Sequence, residues 1–140
     1  MILKGDNRNL IENQPATVLT TAVAAAGTTL TVKLNSGFAQ NDFVLVGKIG
    51  DEKTEIKRIT GAVSAGTSIT VAALSSSHDE DTLVTKIDYD QVRFYRGTTT
   101  TGSASSALAA AQAIDPTEIY SYYNDTTNTT GYGFIRFYDA

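Results

Sequence analysis

The chain has 140 residues and no cysteine, and its formal net charge is −4 at neutral pH. A chain of this length buries a sizeable core without disulfides, and it fits one domain or two small β modules. The missing cysteines exclude disulfides and thiolate metal sites, and the acidic balance argues against a nucleic-acid partner bound through a basic surface.

The first fourteen residues are polar after Ile2 and Leu3 and show no hydrophobic period. Charged residues at positions 4, 6 and 8 stand where a secretion signal would be apolar, and no stretch reaches the roughly 18 apolar residues of a membrane span. We therefore expect neither a secretion signal nor a membrane partner. Residues 1–14 are interpreted as an N-terminal arm before Pro15, which either frays or lies over a neighbouring subunit.

Residues 15–87 predict short strands separated by turns rich in glycine, serine and asparagine. In GTTLTVKL, residues 27–34, leucine and valine alternate with threonine and lysine, as in a half-buried strand. FVLV at residues 43–46 is a short apolar strand, and EKTEIKRIT at residues 52–60 is a polar one. Threonine and valine favour the pleated conformation, so we expect this segment to be all-β.

An internal repeat runs through this first module. GTTLTV and GTSITV begin at positions 27 and 66, which are 39 residues apart, and the same shift aligns residues 21–46 with residues 60–85 without gaps. Each copy is a strand–turn–strand unit that cannot bury its own face. Two packed copies are therefore predicted to form a small β-barrel or sandwich over residues 15–87. An ancient duplication and chance matching in a Thr-rich chain both explain the repeat.

Aromatic residues mark a second module over residues 88–140. The chain has 5 Phe and 7 Tyr, and of these twelve only Phe38 and Phe43 precede residue 88. TTTTGSASS at residues 98–106 predicts a loop, SALAAAQAI at 106–114 fits a helix or a strand, and EIYSYY and YGFIRFYDA predict strands. Because the last strand stands at the chain end, we expect its edge, or an edge beside it, to pair with a neighbouring subunit or with the N-terminal arm.

The chain offers little catalytic or metal-binding chemistry. Its one histidine, His78, lies in SSSHDEDT, where adjacent acidic residues point to opposite sides of an extended chain. We interpret this segment as a solvated acidic turn. Glu52, Glu55, Lys57 and their neighbours alternate in sign, which predicts cross-strand ion pairs rather than paired catalytic carboxylates. The sequence predicts no catalytic residue, no metal site and no cofactor, so we do not expect an enzyme.

Tyrosine and phenylalanine in the last two strands are the candidate partner-contact residues. They either pack the core of the second module or form a platform for a partner protein or a sugar, because one end of a tyrosine ring is apolar and the other polar. The candidates are Tyr120, Tyr122, Tyr132, Phe134, Arg136 and Tyr138.

The segments QVRFYRGTTTTGS, AIDP and EIYSYYNDTTNTTGYGFIRFYDA resemble head and tail proteins of tailed bacteriophages that carry immunoglobulin-like or fibronectin-III-like modules. The upstream DFVLVGKIGDEKTEIKRIT is similar to small β-barrel units of the same class. The resemblance implies an all-β fold with an immunoglobulin-like or fibronectin-III-like module at residues 88–140. A full fibronectin-III module has about seven strands, and this segment supplies four or five. The missing strands would come from the first module or from another chain, or the unit is a half-sandwich.

The resemblance also implies a structural role in the virion, with other virion proteins (major capsid, neck or tail subunits) as partners and a homo-oligomer in the particle. A capsid decoration, head or neck protein is the favoured function. The alternatives are a tail or baseplate component and a carbohydrate-binding module of a fibre or cell-surface protein, in which Tyr120, Tyr122 and Tyr132 would bind a glycan.

Overall fold

The computed structural model describes residues 1–100, 106–127 and 130–139. The chain is all-β, as expected, with antiparallel strands and one 3₁₀ helix at Asn7–Ile11, and its described residues form no closed barrel. The strands are β1 (Ile2–Asp6), β2 (Ala16–Val18), β3 (Thr29–Thr31), β4 (Phe43–Val46), β5 (Glu55–Arg58), β6 (Ser68–Thr70), β7 (Leu83–Ile87), β8 (Gln91–Gly97), β9 (Ser106–Ala107), β10 (Gln112–Ala113), β11 (Tyr120–Asn124) and β12 (Tyr132–Tyr138).

A four-stranded sheet in the order β2–β7–β4–β5 lies at the centre of the molecule. Val44 and Val46 contribute to one hydrophobic cluster, which also contains Leu30 of β3 and Ile69 of β6. Leu45, between them, belongs to a second cluster with the aliphatic and aromatic residues of the C-terminal half. Both faces of β4 are therefore buried, which explains why its sequence is a continuous apolar run instead of an alternating one.

The two copies of the repeat interlock around a local two-fold axis. β3 and β6 pair antiparallel with Leu30 opposite Ile69, and these two residues correspond under the 39-residue shift. The sheet order β2–β7–β4–β5 also reads the same when the copies are exchanged. Reciprocal backbone bonds follow the same shift: Val32 N to Thr67 O with Val71 N to Thr28 O, and Asn35 N to Gly66 O with Leu74 N to Gly27 O.

Outside the β3–β6 ribbon the correspondence is 40 residues, not the ungapped 39 expected from the sequence. The turn residues Asn41 and Asp81 both have positive φ, at 74° and 68°. Asn41 N donates to Ile59 O, and Asp81 N donates to Leu19 O. The first copy therefore has one extra residue between Leu19 and Gly27, and the second copy has one extra residue between Val71 and Asp81.

Strands β8 to β12 and the N-terminal strand β1 form a small sandwich around the second hydrophobic cluster. One layer contains β8 at its centre, with β12 along one edge and β9 and β10 along the other; the second layer is the antiparallel pair β1–β11. The Tyr123 ring of β11 stacks on Phe94 of β8, with ring centroids 5.7 Å apart. The cluster consists of Leu3, Leu10, Leu45, Ile87, Val92, Phe94 and Ile114.

The N-terminal segment differs from the expected arm. Residues 1–14 contain β1 and the 3₁₀ helix, and β1 pairs with β11 over five residues. Leu3 is 8% exposed and Leu10 is 4% exposed, so both contribute to the core. The N-terminal arm was expected to pair with an edge of the second module, and it pairs there with β11 and not with the last strand, β12.

The remaining segments agree in part with what the sequence predicts. Residues 106–114 contain the short strands β9 and β10 and no helix, which settles the ambiguous alanine-rich segment. Residues 82–96 divide into β7 and β8, which residues 88–90 separate. Leu34 was expected beside Leu30 on a buried face, but it is 56% exposed. Val32 is still buried in a bridge to Leu19, and the chain bends at Lys33 before it reaches Leu34. Residues 101–105 of the expected loop lie outside the described residues.

Candidate interaction surface

β12 lies at the edge of its sheet. It pairs with β8 over all seven residues, from Tyr132 opposite Gly97 to Tyr138 opposite Gln91. Among the described residues, no strand pairs with its other edge. An edge of this length presents unpaired backbone donors and acceptors to another chain.

The direction of these backbone groups follows from the ladder. The Phe94 carbonyl accepts the Leu108 amide at 2.9 Å, on the side of β8 away from β12. The pair Phe94–Ile135 is therefore not bonded across the β8–β12 ladder, and the amide and carbonyl of Ile135 point to the free edge. By alternation, Gly133 and Phe137 present their backbone groups in the same direction.

Side chains alternate along β12 as the sequence predicts. Ile135 and Phe137 pack against the second hydrophobic cluster, and a Cβ on Gly133 would collide with Leu3. Tyr132, Phe134, Arg136 and Tyr138 therefore share the outer face of the sheet. Their partners on β8 are, in the same order, Gly97, Tyr95, Arg93 and Gln91.

Tyr95 lies at the centre of this outer face. The guanidinium carbons of Arg136 and Arg93 are 4.9 Å and 5.8 Å from the centroid of its ring, within cation–π range. The Tyr95 and Tyr138 hydroxyls contact each other. That contact and burial raise the pKa of Tyr95 above its usual range. Tyr95 was not among the candidate residues, although its place in QVRFYR puts it on the same face as Arg93.

Tyr120 and Tyr122 lie elsewhere, on the outer face of the β1–β11 pair. Their neighbour Tyr123 points inward onto Phe94, so the two tyrosines point away from the sandwich core. Tyr122 is 54% exposed, its ring centroid is 6.2 Å from that of Tyr120, and the Lys4 ammonium lies 3.5 Å from the Tyr120 centroid. The six candidate residues thus form two surfaces on opposite sides of the sandwich, and Tyr132 does not join the Tyr120–Tyr122 pair.

A half-buried polar cluster surrounds Glu55. Its carboxylate accepts the Ser75 and Ser76 amides at 2.8 and 3.1 Å and the His78 ring nitrogen Nε2 at 2.8 Å, and Lys57 Nζ is 3.2 Å away. Burial alone would raise the pKa of Glu55, but these hydrogen bonds lower it from 4.5 to about 2. These partners satisfy the hydrogen-bonding capacity of the carboxylate, and we assign the cluster a structural role.

His78 differs from the expected solvated turn residue. It is 6% exposed and corresponds to the buried Phe38 under the 40-residue shift. The backbone of His78 exchanges hydrogen bonds with Val23, at 2.8 and 2.9 Å. The histidine therefore occupies a core position, where the Glu55 carboxylate is the hydrogen-bond partner of its ring nitrogen.

An open cleft of about 670 Å³ lies beside the ends of β8 and β12, lined in part by Arg96, Leu108 and Tyr132. The Arg96 guanidinium donates to Asp125 at 3.0 Å and to the Thr130 carbonyl. The Arg96 and Asp125 side chains are 10% and 2% exposed. Their ion pair connects β8 to the residue that follows β11.

Within the described ranges, no three His, Cys, Asp or Glu residues are grouped so that they could hold a metal ion. The same ranges contain no helix long and apolar enough to cross a membrane. In comparisons with protein families, with curated proteins and with solved structures, nothing matches this chain.

Proposed function

We propose that this protein is a structural component of a bacteriophage virion, a capsid decoration, head or neck protein that acts through subunit contacts and catalyses no reaction. The observation that carries the proposal is β12. Its second edge pairs with no strand in the described part of the chain, and its outer face has aromatic and arginine side chains. Aromatic residues and arginine are enriched at protein interfaces, and a free edge provides main-chain hydrogen bonds to a partner.

The composition and the resemblance add support. Charged residues make up 19% of the chain, so much of the surface polarity comes from threonine, serine and asparagine. Such a surface forms many neutral contacts with neighbouring subunits. In a symmetric particle, each modest contact is repeated and the total binding strength rises steeply.

The test is the protein content of purified particles. Mass spectrometry of phage particles, purified away from host protein, is expected to detect the chain. Its copy number relative to the major shell protein then separates a decoration protein, which approaches the number of shell subunits, from a neck, tail or baseplate protein, which is present in few copies. Absence of the chain from particles overturns the proposal.

A matched pair of charge reversals tests the surface. Arg136→Glu changes the outer face of β12, and Lys4→Glu changes the opposite side of the sandwich. We expect the Arg136→Glu chain to be depleted from particles and the Lys4→Glu chain to be incorporated normally. Equal incorporation of both chains would contradict the assignment of the β12 surface.

A glycan-binding role is the second candidate, because Tyr120 and Tyr122 form an exposed aromatic pair beside Lys4. Exposed aromatic rings stack on the apolar faces of sugars. Glycan-array binding that Tyr122→Ala abolishes and Tyr132→Ala leaves unchanged would support this role. Absence of binding to any glycan on the array would contradict it.

A further inference from the structure

We infer that two copies of this chain pair through their β12 strands, antiparallel about a two-fold axis at Ile135, to form one continuous sheet. The inference rests on the proposed assembly role and names the first partner at the same surface, a second copy of the chain. The direction of the free backbone groups, the position of Ile135 in the strand and the side chains opposite each other all favour this pairing.

The free backbone groups fit a symmetric pair. In a two-fold antiparallel ladder, the residue on the axis lies opposite itself, and its amide and carbonyl must point to the partner if it forms a hydrogen-bonded pair. Ile135 meets this requirement, because its backbone points away from β8. Gly133 then bonds with Phe137 of the second copy, and Phe137 with Gly133. Three residue pairs with two hydrogen bonds each give six hydrogen bonds.

The length of the strand selects the same axis. β12 runs from Tyr132 to Tyr138, and Ile135 is its midpoint. Only an axis at the midpoint gives every residue of β12 a partner in the second copy. Moving the axis to Arg136 would place like charges opposite each other, which costs free energy in a cross-strand pair.

The outer-face side chains are self-complementary about this axis. The numbers of two opposite residues sum to twice 135. Phe134 of each copy therefore faces Arg136 of the other copy, which gives two such pairs. Each such pair joins an aromatic ring and a guanidinium, as Arg136 and Tyr95 already do within one chain. Tyr132 faces Tyr138 at both ends, and an aromatic cross-strand pair also stabilises a sheet. This match argues for a second copy as the occupant of the edge.

Cysteine pairs test the register, because the chain has no cysteine of its own. Positions 132 and 138 face each other across the proposed interface, so a mixture of Tyr132→Cys and Tyr138→Cys chains is expected to form a disulfide-linked dimer under mild oxidation. Each variant alone is expected to form none, because its two cysteines lie about 20 Å apart, at roughly 3.3 Å per residue. Cross-linking of either variant alone, or none in the mixture, overturns the register.

Sedimentation velocity tests the pairing without cross-links. The unmodified chain is expected to sediment as a dimer. Phe134→Arg is expected to shift it to monomer, because arginine then faces Arg136 of the other copy. Phe134→Arg with Arg136→Glu is expected to restore the dimer through two opposite-charge pairs. Tyr122→Arg, on the opposite side of the sandwich, is the control and is expected to remain dimeric, with circular dichroism checking the fold of every variant.

These outcomes are separable from those of the proposed function. An unmodified chain that sediments as a monomer, or a Phe134→Arg chain that stays dimeric, overturns the inference. A monomer that is nevertheless found in purified particles leaves the virion role in place. A dimer that is absent from particles leaves the pairing in place and overturns the virion role.

Discussion

The Glu55 carboxylate shows how a half-buried charge is stabilised in a protein of few charged residues. Its oxygens accept two backbone amides and the His78 ring, and Lys57 lies beside them. Each bond favours the ionised form, and together they outweigh the burial that disfavours it. Stability therefore depends on the charge state of this one residue.

Glu55→Gln is expected to lower the free energy of unfolding at neutral pH by about 1–3 kcal/mol, because charge-assisted hydrogen bonds are lost. The pKa of Glu55 is below its ordinary 4.5 when folded, so the unfolded state takes up the proton first as the pH falls. The stabilisation is present above pH 4.5 and is lost as the pH falls towards 2. The difference between the two proteins should shrink over that range.

Urea denaturation followed by circular dichroism across this pH range measures the difference. Glu52→Gln is the matched control, because Glu52 lies three residues away and is exposed. We expect it to follow the unmodified protein at every pH. A Glu55→Gln curve that stays parallel to the unmodified one down to pH 2 would rule out Glu55 as the source of the pH dependence.

Residue-scale prediction from sequence is limited by non-local contacts. The burial of His78 depends on Glu55, 23 residues away, and nothing in SSSHDEDT itself indicates an apolar environment. By contrast, the faces of β12 were predictable, because alternation is a local property of any strand. What alternation could not provide is which residues of different strands share a surface, and so Tyr120 and Tyr122 were grouped with residues of another sheet.

At the scale of elements, β1 is the strand that the sequence did not predict. ILKGD places a single aliphatic side chain, Leu3, in the core, and its partner β11 begins more than one hundred residues later. A strand with so little pattern is recognised only through its partner. β3 and β6 were visible because their threonines face water while Leu30 and Ile69 are buried, which repeats the signal at every second residue.

Neighbouring substitutions in β1 test whether it is structural. Leu3→Ala is expected to lower the free energy of unfolding by about 2–5 kcal/mol, because it leaves a cavity in the second cluster. Ile2→Ala, one residue away on the opposite face and 66% exposed, is expected to change it by less than about 0.5 kcal/mol. Chemical denaturation of both variants measures the contrast. Similar small effects would mean that the segment is a dispensable arm.

The packing of β1 on β12 depends on a missing side chain. A Cβ on Gly133 would collide with the Leu3 side chain. Gly133→Ala is expected to cost about 1–3 kcal/mol by overpacking. Combined with Leu3→Ala, which creates the space, it is expected to cost less than the sum of the single variants by about 0.5–3 kcal/mol. A double-mutant cycle that closes with no coupling would show that these two sites do not pack.

For the whole molecule, the central sheet joins the two halves. One face of β4 belongs to the repeat core through Val44 and Val46, and Leu45 belongs to the C-terminal core. The change in composition predicts a boundary near residue 88, but composition cannot show that the first half exposes an apolar face which the second half covers. The halves therefore stabilise each other and are expected to unfold together.

Differential scanning calorimetry tests this coupling. The unmodified chain is expected to unfold in one transition whose calorimetric and van't Hoff enthalpies agree. Leu45→Ala is expected to cost about 2–5 kcal/mol and to move that single transition to lower temperature, because the cavity weakens a core shared by both halves. Val71→Ala, buried within the repeat core alone, is the control and should lower the same transition. If either variant left one half melting at its original temperature, the sheet would not couple the halves.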